Sequence, residues 1–125
     1  MIGDVAVIPL TGFHTIADGL DHPECVACGP DGRLYAGGEA GQVYRIEPDG
    51  AHEIANTGGF ILGMCLDNDN NLFACDLNRH EVLRITPTGE IVRYGERIGV
   101  PNYPVFTYDG YLFVSDSGMW GANDG

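Results

Sequence analysis

The chain has 125 residues, is 44% hydrophobic, and carries a formal net charge of −12 from 18 acidic and 6 basic side chains. That length suits one small domain, and the acidic balance argues against a nucleic-acid partner, because phosphate binding depends on clusters of basic residues. No apolar stretch approaches the roughly 18 residues that a membrane helix needs, and residues 1–10 lack a secretory signal pattern, so we expect no membrane partner, a cytoplasmic location and four reduced cysteines.

The first predicted element is a short strand over residues 13–17. Its sequence, Phe-His-Thr-Ile-Ala, matches Ala-His-Glu-Ile-Ala at 51–55, which ends the first of the units described below. We therefore predict that residues 13–17 form an outer strand of the same kind. Its partner strands would belong to the last unit of the fold, which this chain does not contain.

The first unit covers residues 24–55. Asp31-Gly32 and Asp49-Gly50 stand between apolar segments, and Asp-Gly pairs in that setting favour type I′ hairpin turns, which need positive φ at both central positions. Four antiparallel strands are predicted, over residues 24–28, 33–36, 42–46 and 52–55.

The second unit, residues 63–93, repeats this plan. The third, residues 102–125, supplies two strands and a Gly/Asn-rich turn, and ends where its third strand is expected. The predicted strands are 63–66, 72–75, 81–85 and 90–93 in the second unit, and 105–108 and 111–115 in the third.

The spacing of the units predicts the fold class. Asp31, Asp69 and Asp109 open equivalent turns at offsets of 38 and 40 residues. Self-similar units of this length, built from short strands, are typical of β-propeller blades, and a propeller needs about four to eight of them. We predict one partial all-β domain over residues 1–125: a closing strand, two four-stranded blades and a truncated third, with the missing C-terminal blades as its structural partner.

Seven residues before the three turn aspartates stand Glu24, Leu62 and Asn102. In a propeller the first strand of each blade lines the central channel, so we expect these positions to converge on the axis. Carboxylate and amide oxygens suit a hard divalent cation, with Leu62 as a spacer. The alternative is that Glu24 is a loop carboxylate and Asn102 a turn residue.

Three segments resemble a known family. Residues 19–35 (Gly-Leu-Asp-His-Pro-Glu-Cys through Arg-Leu-Tyr), 62–67 (Leu-Gly-Met-Cys-Leu-Asp) and 100–118 are similar to the first three blades of the senescence-marker-protein/gluconolactonase/luciferin-regenerating-enzyme family. The resemblance implies a six-bladed propeller with a divalent cation, Ca²⁺ or alternatively Mg²⁺ or Zn²⁺, in its channel. Glu24 and Asn102 fall on two of the four ligand positions, so this chain would ligate the metal incompletely.

The resemblance also implies a function. Family members hydrolyse lactones, with the metal polarising the substrate or a water and a later aspartate as general base. The predicted substrate is therefore a small lactone or ester, the catalytic residues of this chain are unknown, and the chain alone is expected to be inactive. Val100 and Tyr103 stand where the family's third blade has Arg and Asp, which puts sugar-lactone specificity in doubt.

Two other hypotheses stay open. The parent protein is alternatively a non-catalytic binding propeller of the strictosidine-synthase-like or NHL-repeat type, since propellers host many functions. A second alternative is that two copies of the chain assemble into one ring, each lending its N-terminal strand to the other.

Other motifs favour structural roles. Residues 67–71 begin like a calcium-binding loop but lack its glycine, so a hairpin turn is the better interpretation. The Cys25-x-x-Cys28 spacing on a strand favours small apolar packing over a metal or redox pair. Ser115-Asp116-Ser117 ends a strand, and turn capping is favoured there over catalysis.

Overall fold

Ten strands form three antiparallel sheets in the computed structural model, which describes residues 6–118. A short 3₁₀ helix, Leu10–Gly12, precedes the sheets. The first sheet contains β1 (Val26–Cys28), β2 (Leu34–Gly37), β3 (Gln42–Glu47) and β4 (Gly50–Asn56). The second contains β5 (Ile61–Leu66), β6 (Leu72–Asp76), β7 (Glu81–Ile85) and β8 (Ile91–Tyr94). The third contains β9 (Pro101–Phe106) and β10 (Leu112–Asp116), and the predicted unit 102–125 runs beyond the described residues.

The strands of each sheet follow one another in chain order, each paired with the next. The first strands of the sheets are neighbours: β1 packs near β5, and β5 near β9. Residues that start these three strands therefore lie at the same end of adjacent sheets.

The same hairpin turn recurs at five places, and it is not the predicted type I′. At the first, Gly32 N–H donates to Gly29 O at 2.9 Å, Gly29 N–H donates to Arg33 O at 2.8 Å, and only the last loop residue has positive φ. This is a three-residue loop closed by a left-handed residue, and Pro30 could not adopt the positive φ that type I′ requires. The left-handed residues are Gly32, Gly41, Asn70, Gly89 and Gly110.

Two apolar layers hold the sheets together. The first lies between the first and second sheets, and the second lies between the second and third. Phe73 joins the second layer to the third sheet, because its ring meets that of Phe106 edge-to-face at 5.0 Å between centroids. The buried members are Ala27, Tyr35, Val43, Ile61, Met64, Leu72, Ala74, Leu83 and Ile85 in the first layer, and Leu62, Phe73, Cys75 and Val82 in the second.

Two predicted strands need correction. The first strand of the third unit begins at Pro101 rather than at residue 105, and it ends at Phe106. It tolerates Pro101 and Pro104 because β9 is an edge strand, paired with β10 alone. Residues 13–17 form no strand among the described residues, and no further sheet is present there to pair with them.

The outward face of the third sheet is apolar and exposed. Val105 and Phe113 are directly opposite each other in the β9–β10 register, and both side chains are exposed together with that of Tyr103. The inward residues of the same strands pack on the second sheet, so this sheet has one covered and one open apolar face.

Candidate functional site

The end of the sheets that carries the predicted ligands is fixed by one repeated backbone bond. In each sheet, a residue after the second strand donates its N–H to the carbonyl of a residue that precedes the first strand. The bonds are Glu39 N to Asp21 O at 3.1 Å, Leu77 N to Phe60 O at 2.8 Å and Ser117 N to Val100 O at 2.9 Å. This end of the three sheets is called the ligand end below.

Glu24 lies at the ligand end, two residues before β1. Its side chain is exposed and accepts no hydrogen bond from residues 6–118. The loop that carries it is anchored by Asp21, whose Oδ2 accepts from Ala40 N at 3.2 Å and from Gln42 Nε2 at 3.1 Å. The carboxylate of Glu24 is therefore free on an anchored loop.

Asn102 is the second residue of β9, so it is a strand residue and not the turn residue of the alternative interpretation. The β9–β10 register shifts at this point, so that Asn102 and Tyr103 together oppose Ser115. Such a bulge re-aims side chains. Asn102 Nδ2 donates to Ser117 Oγ at 2.9 Å, which leaves the amide oxygen as the free end of the side chain.

Leu62 occupies the equivalent bulge of β5 and is buried. The next residue, Gly63, permits the close approach of β5 to β9. A Cβ at position 63 would lie 2.6 Å from the carbonyl oxygen of Asn102, well inside van der Waals contact. Leu62 thus contributes packing, as the spacer prediction expected, and no polar atom.

Glu24 and Asn102 lie on the first and third sheets, with β5 between their strands. No hydrogen bond joins them in the part of the chain that the structure describes. Each side chain has an oxygen that accepts no hydrogen bond from residues 6–118. Both side chains lie at the ligand end of their sheets. That donor set fits a hard cation, which takes carboxylate and amide oxygens.

A cluster of three titratable side chains at the ligand end was not predicted from the sequence. Asp21, His22 and Glu39 place their ligand atoms within 4.8 Å of one another. His22 Nδ1 lies 3.0 Å from Asp21 Oδ1 and 3.1 Å from Glu39 Oε2. Asp21 and Glu39 are 18 residues apart and are brought together by the Asp21–Glu39 backbone bond, so no local sequence pattern marked this cluster.

The two acidic neighbours change the titration of His22. The hydrogen bond to Asp21, followed by the charge of Glu39, raises the pKa of His22 above its ordinary value of 6.5. The same contact lowers the pKa of Asp21, with a further contribution from the Gln42 hydrogen bond. The two carboxylates therefore favour the protonated form of the His22 imidazole.

Comparison with known proteins gives one family model and several solved structures. A model described as the N-terminal part of strictosidine synthase-like proteins matches residues 9–46. Virginiamycin B lyase from Staphylococcus aureus superposes with a TM-score of 0.65 at 21% identity, covering 78% of this chain and 36% of the lyase. A gluconolactonase from Xanthomonas campestris gives a TM-score of 0.65 at 21% identity over 80% of this chain and 36% of the enzyme.

The PQQ-bound aldose sugar dehydrogenase from Streptomyces coelicolor gives a TM-score of 0.60 at 19% identity, over 79% of this chain and 39% of that enzyme. The chain is part of a β-propeller. It spans little more than a third of the length of these structures, which are a lyase, a gluconolactonase and a dehydrogenase. No curated protein matches the chain.

The sheets are accordingly blades, and in two of them an aspartate at the end of the second strand accepts hydrogen bonds from the connections around it. Asp76 ends β6, is fully buried, and accepts from Thr57 Oγ1 at 2.6 Å, from Phe60 N at 3.1 Å and from Arg79 N at 3.1 Å. Every one of these donors lies outside the strands of the second blade. Asp76 therefore ties the connections at the ligand end to the blade.

Asp116 repeats part of this arrangement in the third blade. Its Oδ1 accepts from Val100 N and from Gly118 N, each at 2.9 Å. These backbone donors lower the pKa of Asp116. The capping role that the sequence analysis favoured for Asp116 is confirmed.

The four cysteines are free thiols, as predicted. Burial raises the pKa of Cys25 and of Cys65 to about 11, and that of Cys75 to about 12. Cys28 is exposed, whereas Cys25 is partly buried beside the first apolar layer. The Cys25-x-x-Cys28 pair therefore behaves as packing and surface residues rather than as a metal pair.

The positions that depart from the family pattern differ in environment. Val100 is buried at 4% exposure, whereas the Tyr103 side chain is about half exposed and its ring lies beside Gly63 of the second sheet. A buried valine offers no contact to a substrate at the position where the family has arginine. Among residues 6–118 no helix is both long and apolar enough to cross a membrane.

Proposed function

We propose that this chain is the N-terminal portion of a six-bladed, metal-dependent propeller hydrolase that acts on small lactones or esters. The observation that carries the proposal is the pair of donor-free oxygens of Glu24 and Asn102, at the ligand end of the first and third blades. Two oxygens are fewer than the six to eight that Ca²⁺ commonly takes, so the remaining ligands and the general base belong to blades that this chain does not contribute. The four free thiols support a cytoplasmic location for the protein.

The roles of the residues present follow from their contacts. Glu24 would supply a charged ligand from the anchored loop, and Asn102 a neutral one whose orientation is set by Ser117. A bound divalent cation would act as a Lewis acid toward a carbonyl oxygen. Val100 and Tyr103 provide no basic group, so we propose an uncharged or weakly polar lactone rather than an acidic sugar lactone.

Metal binding and hydrolysis by the complete gene product test the proposal. Glu24→Gln is expected to weaken Ca²⁺ or Mn²⁺ binding in calorimetry by at least tenfold, because it removes the charged ligand, and to reduce turnover of a panel of γ- and δ-lactones. Glu90→Gln removes an exposed carboxylate from a hairpin turn and is the matched control. Unchanged metal affinity in Glu24→Gln would overturn the metal site.

A second candidate is a binding propeller without catalysis. The match of residues 9–46 to the strictosidine synthase-like model favours it, because that segment includes Glu24 and extends beyond the resemblance to the hydrolase family at its N-terminal side. Metal binding with no lactone turnover in the complete protein would favour this candidate over the hydrolase.

A further inference from the structure

Three arginines converge on one carboxylate at the outer part of the second blade. Glu81 is the first residue of β7, and its side chain is only 8% exposed. Arg79 Nε donates to Glu81 Oε2 at 3.2 Å, while Arg97 Nε and Arg93 Nη1 lie 3.7 and 4.0 Å from Oε1. Arg79, Arg93 and Arg97 are named the arginine cluster, and they are half of the basic residues in the chain.

The charge balance at this cluster is unusual for the molecule. Elsewhere in residues 6–118, arginine ion pairs are one-to-one, with Arg33 on Asp31 and Arg45 on Glu47. Here three guanidinium groups share a single carboxylate. Glu96 stands between Arg93 and Arg97 in the sequence but forms no ion pair with them, so Glu81 is the only carboxylate of residues 6–118 within 4.0 Å of the three guanidinium groups.

The arginines of the cluster differ in how their donors are used. Arg79 also donates from Nη1 to Thr57 O at 3.1 Å, so it is held by two acceptors. Arg93 and Arg97 have no hydrogen-bond acceptor within the described residues, and their side chains are 52% and 71% exposed. Because each guanidinium has five N–H donors in a planar fork, two free forks lie beside each other at the surface.

We propose that the arginine cluster binds a phosphate-type oxyanion, held between the forks of Arg93 and Arg97. Glu81 keeps both side chains close to each other, although it is too distant to hydrogen-bond either of them. A tetrahedral oxyanion presents oxygen pairs in more than one plane and accepts two forks from different directions, whereas a carboxylate has its lone pairs in one plane. Glu81 pairs with Asp76 and so lies toward the ligand end of the second blade, but the cluster shares no residue with Glu24 and Asn102, and the proposal does not depend on the proposed hydrolase function.

The test is a titration of the full chain with inorganic phosphate, followed by the ¹⁵N–¹H signals of the arginine Nε groups. The signals of Arg93 and Arg97 are expected to shift to saturation, and those of Arg33 and Arg84 to stay in place. Sodium chloride at the same ionic strength is the reference arm. Arg97→Gln is expected to weaken binding about tenfold, because it removes charge-assisted hydrogen bonds. Arg84→Gln, on β7 and outside the cluster, is expected to leave the affinity unchanged.

The proposal is overturned if chloride produces the same shifts as phosphate, or if all arginines respond equally. It is also overturned if Arg97→Gln, shown to be folded by circular dichroism, binds phosphate as tightly as the original chain. If that variant does not fold, the comparison of phosphate and chloride on the unaltered chain decides the question alone.

Discussion

Asn102 and Ser117 are joined by a hydrogen bond in which the amide Nδ2 donates to the hydroxyl oxygen at 2.9 Å. Ser117 is itself fixed, because its backbone N–H donates to Val100 O at 2.9 Å. The bond therefore holds the Asn102 side chain at the ligand end, and with Nδ2 toward Ser117 the amide oxygen accepts no hydrogen bond from residues 6–118. A cation ligand needs this arrangement, since only the oxygen end of an amide binds metal.

Ser117→Ala is expected to weaken divalent-metal binding by the complete protein about tenfold, as loss of a contact that orients a ligand commonly does. Ser117→Thr keeps a hydroxyl and is expected to restore most of the affinity. The measurement is calorimetry with Ca²⁺ or Mn²⁺, together with the ¹⁵N signals of the Asn102 side chain. An amide signal unaltered in Ser117→Ala would show that Ser117 does not orient it.

Asp76→Ala is expected to lower the free energy of unfolding by about 3 kcal/mol, because buried donors left without an acceptor each cost about 1–3 kcal/mol. Thr57, Phe60 and Arg79 supply those donors. Urea unfolding measures the change. Asp69→Ala, in an exposed turn where Asp69 donates only its backbone N–H, is the control and is expected to change stability by less than about 0.5 kcal/mol.

The imidazole of His22 is expected to titrate above 6.5, with Asp21 and Glu39 as the cause. Since the folded-state pKa is raised, the stabilisation by these contacts is fully present below pH 6.5 and is lost as the pH rises through the folded-state pKa. An NMR titration of the His22 ring measures it. Glu39→Gln is expected to bring the pKa back toward 6.5, and a titration midpoint below 6.5 in the original chain would contradict the ion-pair cluster.

Alkylation by iodoacetamide at pH 8 is expected to modify Cys28 first. Cys28 is exposed, whereas burial raises the pKa of Cys25 and Cys65 to about 11 and of Cys75 to about 12, so almost none of their thiolate forms at that pH. Mass spectrometry of peptides follows the order of modification, and Cys28→Ser should leave the chain nearly unreactive. Rapid modification of Cys75 in the folded chain would contradict its burial.

Much of the fold could be predicted because the turns carry strong local signals. The repeated Asp31, Asp69 and Asp109 segments place equivalent hairpins correctly, since the residues that accept positive φ are few. The predicted type I′ turn was wrong because it was based on the Asp31-Gly32 pair alone, whereas the turn also includes Pro30. The prediction that β9 starts only at residue 105 has a similar origin: Pro101 and Pro104 suggested a loop, and the edge position of the strand was not visible in the sequence.

The candidate site could be predicted only in part. Glu24 and Asn102 were predicted as ligands because each stands seven residues before the aspartate of a repeated turn. Their role as metal ligands stays a prediction. His22 with Glu39, and Arg97 with Glu81, are tertiary neighbours brought together by the packing of connections, and no periodic pattern in the sequence marks such contacts.

Gly63, which has no side chain, sets how closely β5 and β9 approach each other. Its lack of a Cβ lets β5 approach the backbone of β9, so the first strands of the second and third blades lie in contact. A Cβ at position 63 would lie 2.6 Å from the carbonyl oxygen of Asn102. Even a methyl group there would therefore push β9 away from β5 and displace the Asn102 amide from the position it now holds relative to the first blade.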